Sequence, residues 1–268
     1  MLLELMKYCK DAIDSCKESR KIPDGNNPLT FIEAMLYKIQ NNDDVSSPLH
    51  GDQGELNLLN VLVDLFVAGS DTTSTSLNWS MLFMITHPDI QTNVREELIS
   101  TFGTSARITM SDKSLAPYTE AVLHEIQRKG NIAPLALFHQ NNQPLEIENK
   151  FWIPSQTIIV PMIGEIMHDP KHFVDPLEFN PERYLTKNLT ENGESSLKFT
   201  PHPRVIPFGF GKRRCLGESL AKTTMYKFFT AIIQNFEIKS GQDEPITEDY
   251  SFGLAYSPKP YKLKFVRL

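Results

Sequence analysis

The chain has 268 residues, 40% of them hydrophobic, which is enough to bury a sizeable core as one large domain or two small ones and excludes a disordered polymer. A formal net charge of -6 with no long basic run excludes nucleic acid as an expected partner. Cys9, Cys16 and Cys215 show no CxxC spacing, so reduced thiols facing the cytosol are expected rather than a disulfide scaffold.

In chain order, residues 1–54 read as a helical lead-in and loops. Residues 1–7 are too short an apolar stretch for a signal-peptide core or a membrane span. A short helix over 31–40 lies between polar stretches at 24–27 and 41–54. Leu56, Leu59, Leu62, Val63, Phe66 and Val67 then predict one long buried helix over 55–87, ended by Pro88. Helices follow over 89–102 and 117–130, then β-like pieces at 145–147 and 157–161. A proline-rich, poorly periodic stretch fills 169–207. A cysteine loop and helix occupy 207–234, with the helix starting near 216, and strand-like pieces at 236–239 and 261–266 complete a mainly α chain with minor β strands.

Three constellations stand out. Ala68-Gly69-Ser70-Asp71-Thr72-Thr73 puts a glycine, a carboxylate and hydroxyls in the middle of the long helix. Such local conflict marks function or a kink satisfied by threonine back-bonding. Glu125 and Arg128, spaced i, i+3, share one helix face, either as a solvated pair or as part of a larger network. Around Cys215, Gly209, Gly211 and Gly217 let backbone bend, and the following helix start favours a thiolate. The plain alternative is a buried free cysteine before a helix.

Phe208, Gly211, Arg213, Cys215 and Gly217 fill every fixed position of FxxGxRxCxG, so the loop resembles the cysteine loop of the cytochrome P450 family. Residues 68–73 resemble that family's [AG]Gx[DE]T[TS] oxygen-activation site, and Glu125, Arg128 and Arg183 map onto its buried Glu-Arg-Arg triad. The spacing of 179–184 and 207–218 is similar to the microsomal clan of drug and steroid hydroxylases and insect members. The resemblance runs over nearly the whole chain and implies a partial domain over 1–268, the C-terminal part of the cytochrome P450 fold.

The resemblance implies haem b as cofactor and Cys215 as the axial ligand of its iron. A thiolate is the ligand that favours O–O cleavage. Arg213 and His139 are then propionate contacts and Phe208 a further cofactor contact. Phe138 stands where the family has a proline before such a histidine. Asp71 and Thr72 become the proton-relaying catalytic pair, and the triad is structural. Ala68, Gly69, Ile132, Ala133, Leu135 and Phe252, within 65–69, 132–137 and 252–254, are pocket lining or plain core.

Expected partners are dioxygen, a small apolar substrate, and NADPH-cytochrome P450 reductase with cytochrome b5 as a further donor. Lys212 and Arg214 are a docking patch or a solvated charge cluster. The resemblance places the full-length family on the cytosolic face of the endoplasmic reticulum, with membrane association through an N-terminal part this chain lacks. Monooxygenation is the leading expectation. A dioxygen-independent isomerase and a truncated isoform that holds haem weakly or competes for reductase are the alternatives.

Overall fold

A computed structural model of the chain describes residues 2–19, 30–189, 195–253 and 255–268; positions 24–27 and 254 of the sequence expectations lie outside them. It divides into two compact units, Met1–Asp71 and Thr72–Leu268. The first contains α1 (Leu2–Glu18), α2 (Phe31–Gln40) and the beginning of α3 (Gly51–Thr86). Thr30 and Glu33 explain why α2 starts where it does. The Glu33 amide donates to Thr30 Oγ1 at 3.2 Å and the Thr30 amide to Glu33 Oε2 at 2.9 Å, a reciprocal cap. Cys9 and Ile13, one turn apart on α1, pack with Leu36, Ile39, Leu58 and Leu62 to form the core of this unit.

α3 is one helix of 36 residues that continues into the second unit, where hydroxyls along its length fold back onto it. Ser76 Oγ donates to the Thr72 carbonyl at 2.9 Å and Ser80 Oγ to the Ser76 carbonyl at 2.8 Å. These i−4 bonds show how hydroxyls are accommodated inside the helix just after the 68–73 segment. The expectation of a helix buried along 55–87 is corrected. Residues 64–72 are exposed throughout, including Leu65, Phe66 and Val67, and burial resumes at Thr75. Apolar sequence gives the period of a helix but not how many of its sides are covered.

The second unit adds α4 (Pro88–Phe102) and α5 (Pro117–Gly130), each with proline in its first turn, then β1 (His139–Gln140), β2 (Leu145–Ile147), β3 (Phe151–Ile153) and β4 (Ile158–Ile159). α6 (Ile163–Met167), β5 (Leu185–Leu189), β6 (Ser195–Phe199), α7 (Glu218–Asn235), β7 (Phe236–Ser240), β8 (Tyr250–Ser251), β9 (Ser257–Pro258) and β10 (Leu263–Arg267) complete it. The strands pair two by two, all antiparallel: β1 with β4, β2 with β3, β5 with β6, β7 with β10 and β8 with β9. The β5–β6 hairpin lies in the stretch expected to be irregular, because Leu185 and Phe199 meet across the ladder while the intervening sequence alternates only weakly.

One core joins Trp79, Leu82 and Phe83 of α3, Val94 and Leu98 of α4, Val122 and Ile126 of α5, and Tyr226, Phe229 and Ile233 of α7. Phe83 lies against Trp79 at 5.3 Å and against Phe179 at 4.5 Å, near-parallel in both pairs. Such rings contribute roughly 0.5–1.5 kcal/mol per pair beyond the area they bury. This core fixes α5 and α7, the helices next to which the functional residues sit.

Candidate functional site

Glu125 and Arg128, on one face of α5, have no solvent exposure. Arg128 grips the carboxylate with two hydrogen bonds, Nε to Oε2 at 2.8 Å and Nη2 to Oε1 at 2.7 Å. Its remaining N–H groups donate to the carbonyls of Met167, Pro176 and Glu178 at 3.2, 2.7 and 3.0 Å. Arg183 adds Nε to Glu125 Oε1 at 3.2 Å and donates onward to the Val174 carbonyl at 2.8 Å. The Tyr184 hydroxyl donates to Oε2 at 2.6 Å and the Asn180 amide to Oε1 at 3.0 Å.

Burial alone raises the Glu125 carboxyl, but the hydrogen bonds and charge of Arg128, with Tyr184 and Asn180, outweigh it and hold the group below the ordinary carboxylate value. Burial followed by the Glu125 charge pushes the Tyr184 phenol well up, so it remains a donor. The sequence pattern indicates both arginines; Tyr184 was missed, although it follows Arg183 directly. The network wraps residues 167–184 around one carboxylate, which is a positioning device with no nucleophile.

The loop carrying Cys215 follows. Gly209 and Gly211 have φ of +68° and +77°, a left-handed backbone that side chains resist, and a Cβ at either would meet no atom within 4 Å. The Gly209 amide donates to the Ile206 carbonyl, and the Cys215 amide to the Phe208 carbonyl, both at 2.9 Å, which closes the loop. Cys215 is therefore held by backbone and is exposed, as are Lys212, Arg213 and Arg214. α7 begins at Glu218, not 216, so Cys215 lies two positions before the cap residue Gly217. Phe208 is half-buried, with Lys222 Nζ 5.4 Å from its ring centroid.

Beside the thiol, Phe210, Leu216 and Leu220 are 84%, 92% and 73% exposed. An exposed soft sulfur donor, apolar side chains turned to solvent and open glycine backbone fit a flat, largely apolar, metal-bearing group such as haem. Among the described residues no group of three or more His, Cys, Asp or Glu side chains is arranged to hold a bare metal ion.

The other expected site residues distribute as follows. Ala68, Gly69 and Asp71 are exposed on α3, as is Thr72, whose carbonyl accepts from Ser76. His139 is exposed in β1, opposite Ile159. Ile132, Ala133 and Leu135 are half-buried after α5, and Phe252 is exposed at the tip of the β8–β9 hairpin. Tyr256 joins part of this set. Its amide donates to the Ile132 carbonyl at 2.8 Å, its carbonyl accepts from Trp79 Nε1 at 2.8 Å, and its ring lies 5.2 Å from Phe252. Glu248 anchors the same hairpin, accepting from Thr86 Oγ1 at 2.7 Å with His87 Nε2 at 2.8 Å. No sequence pattern indicates either residue, since their hydrogen-bond partners lie more than a hundred positions away.

A family model described as Cytochrome P450 matches residues 2–265. The chain is 35% identical over 250 residues to mouse Cytochrome P450 2J5, covering 92% of this chain and 46% of that protein. It is 34% identical to human Cytochrome P450 2A13, with 93% and 49% covered, and 38% identical to golden hamster Cytochrome P450 2D27, with 77% and 40% covered. The chain thus spans about half the length of the curated relatives it matches.

Proposed function

The chain belongs to the cytochrome P450 family, and from that premise we propose that it carries the thiolate side of a haem monooxygenase that inserts one atom of dioxygen into an apolar organic substrate. The observation that carries this reading is the exposed Cys215 on a loop whose two left-handed glycines leave open space beside it. Haem held by a thiolate supplies reductive activation of dioxygen. With haem bound, Cys215 would hold the iron, Arg213 and His139 would take the propionates by charge and hydrogen bonding, and Phe208 would be a further contact. Asp71 and Thr72 hold and pass a proton, and Ala68 and Gly69 keep side-chain bulk away from the reacting atoms. Ile132, Ala133, Leu135 and Phe252 present apolar surface to the substrate.

Glu125, Arg128 and Arg183 position the segment that leads to the cysteine loop and do no chemistry. The exposed Lys212 and Arg214 fit an acidic electron donor, so NADPH-cytochrome P450 reductase, with cytochrome b5 as a further donor, belongs to the same proposal. So does residence at the cytosolic face of the endoplasmic reticulum, by likeness to the family's microsomal members. Among the described residues no helix is long and apolar enough to cross a membrane. In the same proposal residues 55–87 serve oxygen activation, 117–130 carry the triad and 207–234 form the haem side.

A second reading, weak haem retention by this chain alone, is favoured by the apolar surface at Leu65, Phe66 and Val67 and around Leu216. The same experiment separates the two. The chain is expressed, supplied with haem, reduced under carbon monoxide and scanned for the thiolate-type Soret band. A stoichiometric band with substrate turnover in the presence of reductase supports the monooxygenase. A weak, dissociating band supports the second reading, and a haem complex without a thiolate signature overturns Cys215 as ligand.

A further inference from the structure

His124 precedes Glu125 on α5 and faces the segment that leads into the cysteine loop. Its Nε2 accepts a hydrogen bond from the His202 amide at 3.2 Å, which makes Nδ1 the protonated nitrogen of a neutral ring. The ring stands edge-on to Tyr184 at 4.6 Å and to Phe199 at 5.5 Å. His202 is in turn seated: its ring lies 4.5 Å from Phe173, and Phe173 lies 5.2 Å beneath the Arg128 guanidinium.

A run of short bonds leads from this point to the thiol. His202 Nδ1 accepts from the Arg204 amide at 3.3 Å, and its carbonyl from the Val205 amide at 3.0 Å. The bonds from Gly209 to Ile206 and from Cys215 to Phe208 follow directly. No side chain from the core holds the loop after Phe208 at a comparably fixed point among the bonds described, so the entry at His202 governs where the loop starts.

We infer that His124 is the positioning residue that couples the buried Glu125 network to the cysteine loop, through its acceptor nitrogen and the His202 amide. The inference rests on the proposed haem-thiolate reading for its consequence, but its geometry stands in the protein without haem. The titratable and charged groups around His124 are Glu125 on its own helix, Tyr184 and His202 on the facing segments, Lys222 of α7 and Lys113 before α5. Burial lowers the ring's pKa to about 4, with Lys222, His202 and Lys113 acting in the same direction and Glu125 against it. The ring therefore remains an acceptor at neutral pH.

The test compares wild type, His124→Phe and His124→Gln in the full chain. Phenylalanine keeps the aromatic edges and removes the acceptor; glutamine restores an acceptor at similar reach. Residue-resolved hydrogen exchange, corrected for intrinsic rates, reads the His202 amide without haem. The thiolate-type carbon monoxide band reads the loop after haem addition.

Phenylalanine is expected to accelerate His202 exchange at least tenfold and to lower the thiolate-type fraction by at least half, with far-UV ellipticity unchanged. Glutamine is expected to recover most of both. If the phenylalanine variant does not fold, wild type alone decides: His202 protection is expected to disappear as pH falls through about 4 while α7 amides keep theirs. Unchanged His202 exchange in His124→Phe, or glutamine no better than phenylalanine, overturns the inference. Haem binding without any thiolate band in wild type would instead overturn the functional reading, with the exchange results still deciding the role of His124.

Discussion

The Glu125 network and the Cys215 loop lie in the same unit and are built by opposite means. At Glu125 the carboxylate is fully buried, and five N–H or O–H donors from Arg128, Arg183, Tyr184 and Asn180 converge on it. At Cys215 the backbone does the holding, the side chain is exposed, and glycines clear the space beside it. A buried charge is tolerated only where its hydrogen bonds are saturated, so the first region is rigid and unreactive. A ligating thiol must be reachable, so the second places its reactive atom where packing contributes least. Stability and chemistry are thereby separated along the chain, and substitutions should divide accordingly.

The largest expected effect comes from Arg128→Ala, which removes two of the five donors and the buried countercharge from Glu125 and the Arg128 donors to three carbonyls. Removing one partner of a buried pair costs about 3–5 kcal/mol, and urea unfolding should show a loss of that size or no folded chain. A loss under 1 kcal/mol would mean that the network is not the anchor its geometry suggests.

Acid sharpens the contrast further. His124 is held near 4 against an ordinary value of 6.5, so the unfolded chain binds more protons between those values. The contribution is fully present above about pH 6.5 and lost as pH falls toward 4, amounting to about 3 kcal/mol at 1.4 kcal/mol per unit. Glu125, also depressed, loses its contribution in the same direction at lower pH. Stability measured from pH 7 to 4 should fall in wild type and stay flatter in His124→Phe; equal slopes would contradict the depressed value.

Tyr184→Phe removes one donor to a charged acceptor while leaving the ring in place, for an expected cost of roughly 1.5–3 kcal/mol. A neutral result in thermal unfolding would show that Arg128 alone satisfies Glu125. Cys215→Ser should sit at the far end. Stability should change by less than about 0.5 kcal/mol, since the side chain is exposed, while the thiolate-type carbon monoxide band disappears. A large loss of stability there would place the loop with the network and end the comparison.

Legibility in the sequence follows the range of the interactions. The capped α2, the proline-led α5 and the i, i+3 pair Glu125–Arg128 are local, and the residues that make them are neighbours in the chain. Tyr184, His124, Glu248 and Tyr256 act through contacts 59, 78, 161 and 177 positions apart, and no period or motif reports such distances. The exposed middle of α3 departs from the expected burial for the same reason: amphipathic spacing describes a helix, whereas burial depends on what else packs there.

By itself, the sequence determined the mainly helical class, the helix boundaries set by caps and prolines, and a cysteine loop specific enough to carry a family resemblance, because short-range sterics and hydrogen bonds depend on adjacent residues. The tertiary structure alone decided that Arg128 spends its remaining donors on Met167, Pro176 and Glu178, that His124 Nε2 accepts from the His202 amide, and that Cys215 faces solvent three positions ahead of its helix. Those outcomes depend on which distant backbone groups burial leaves without water, and only the packed chain determines that.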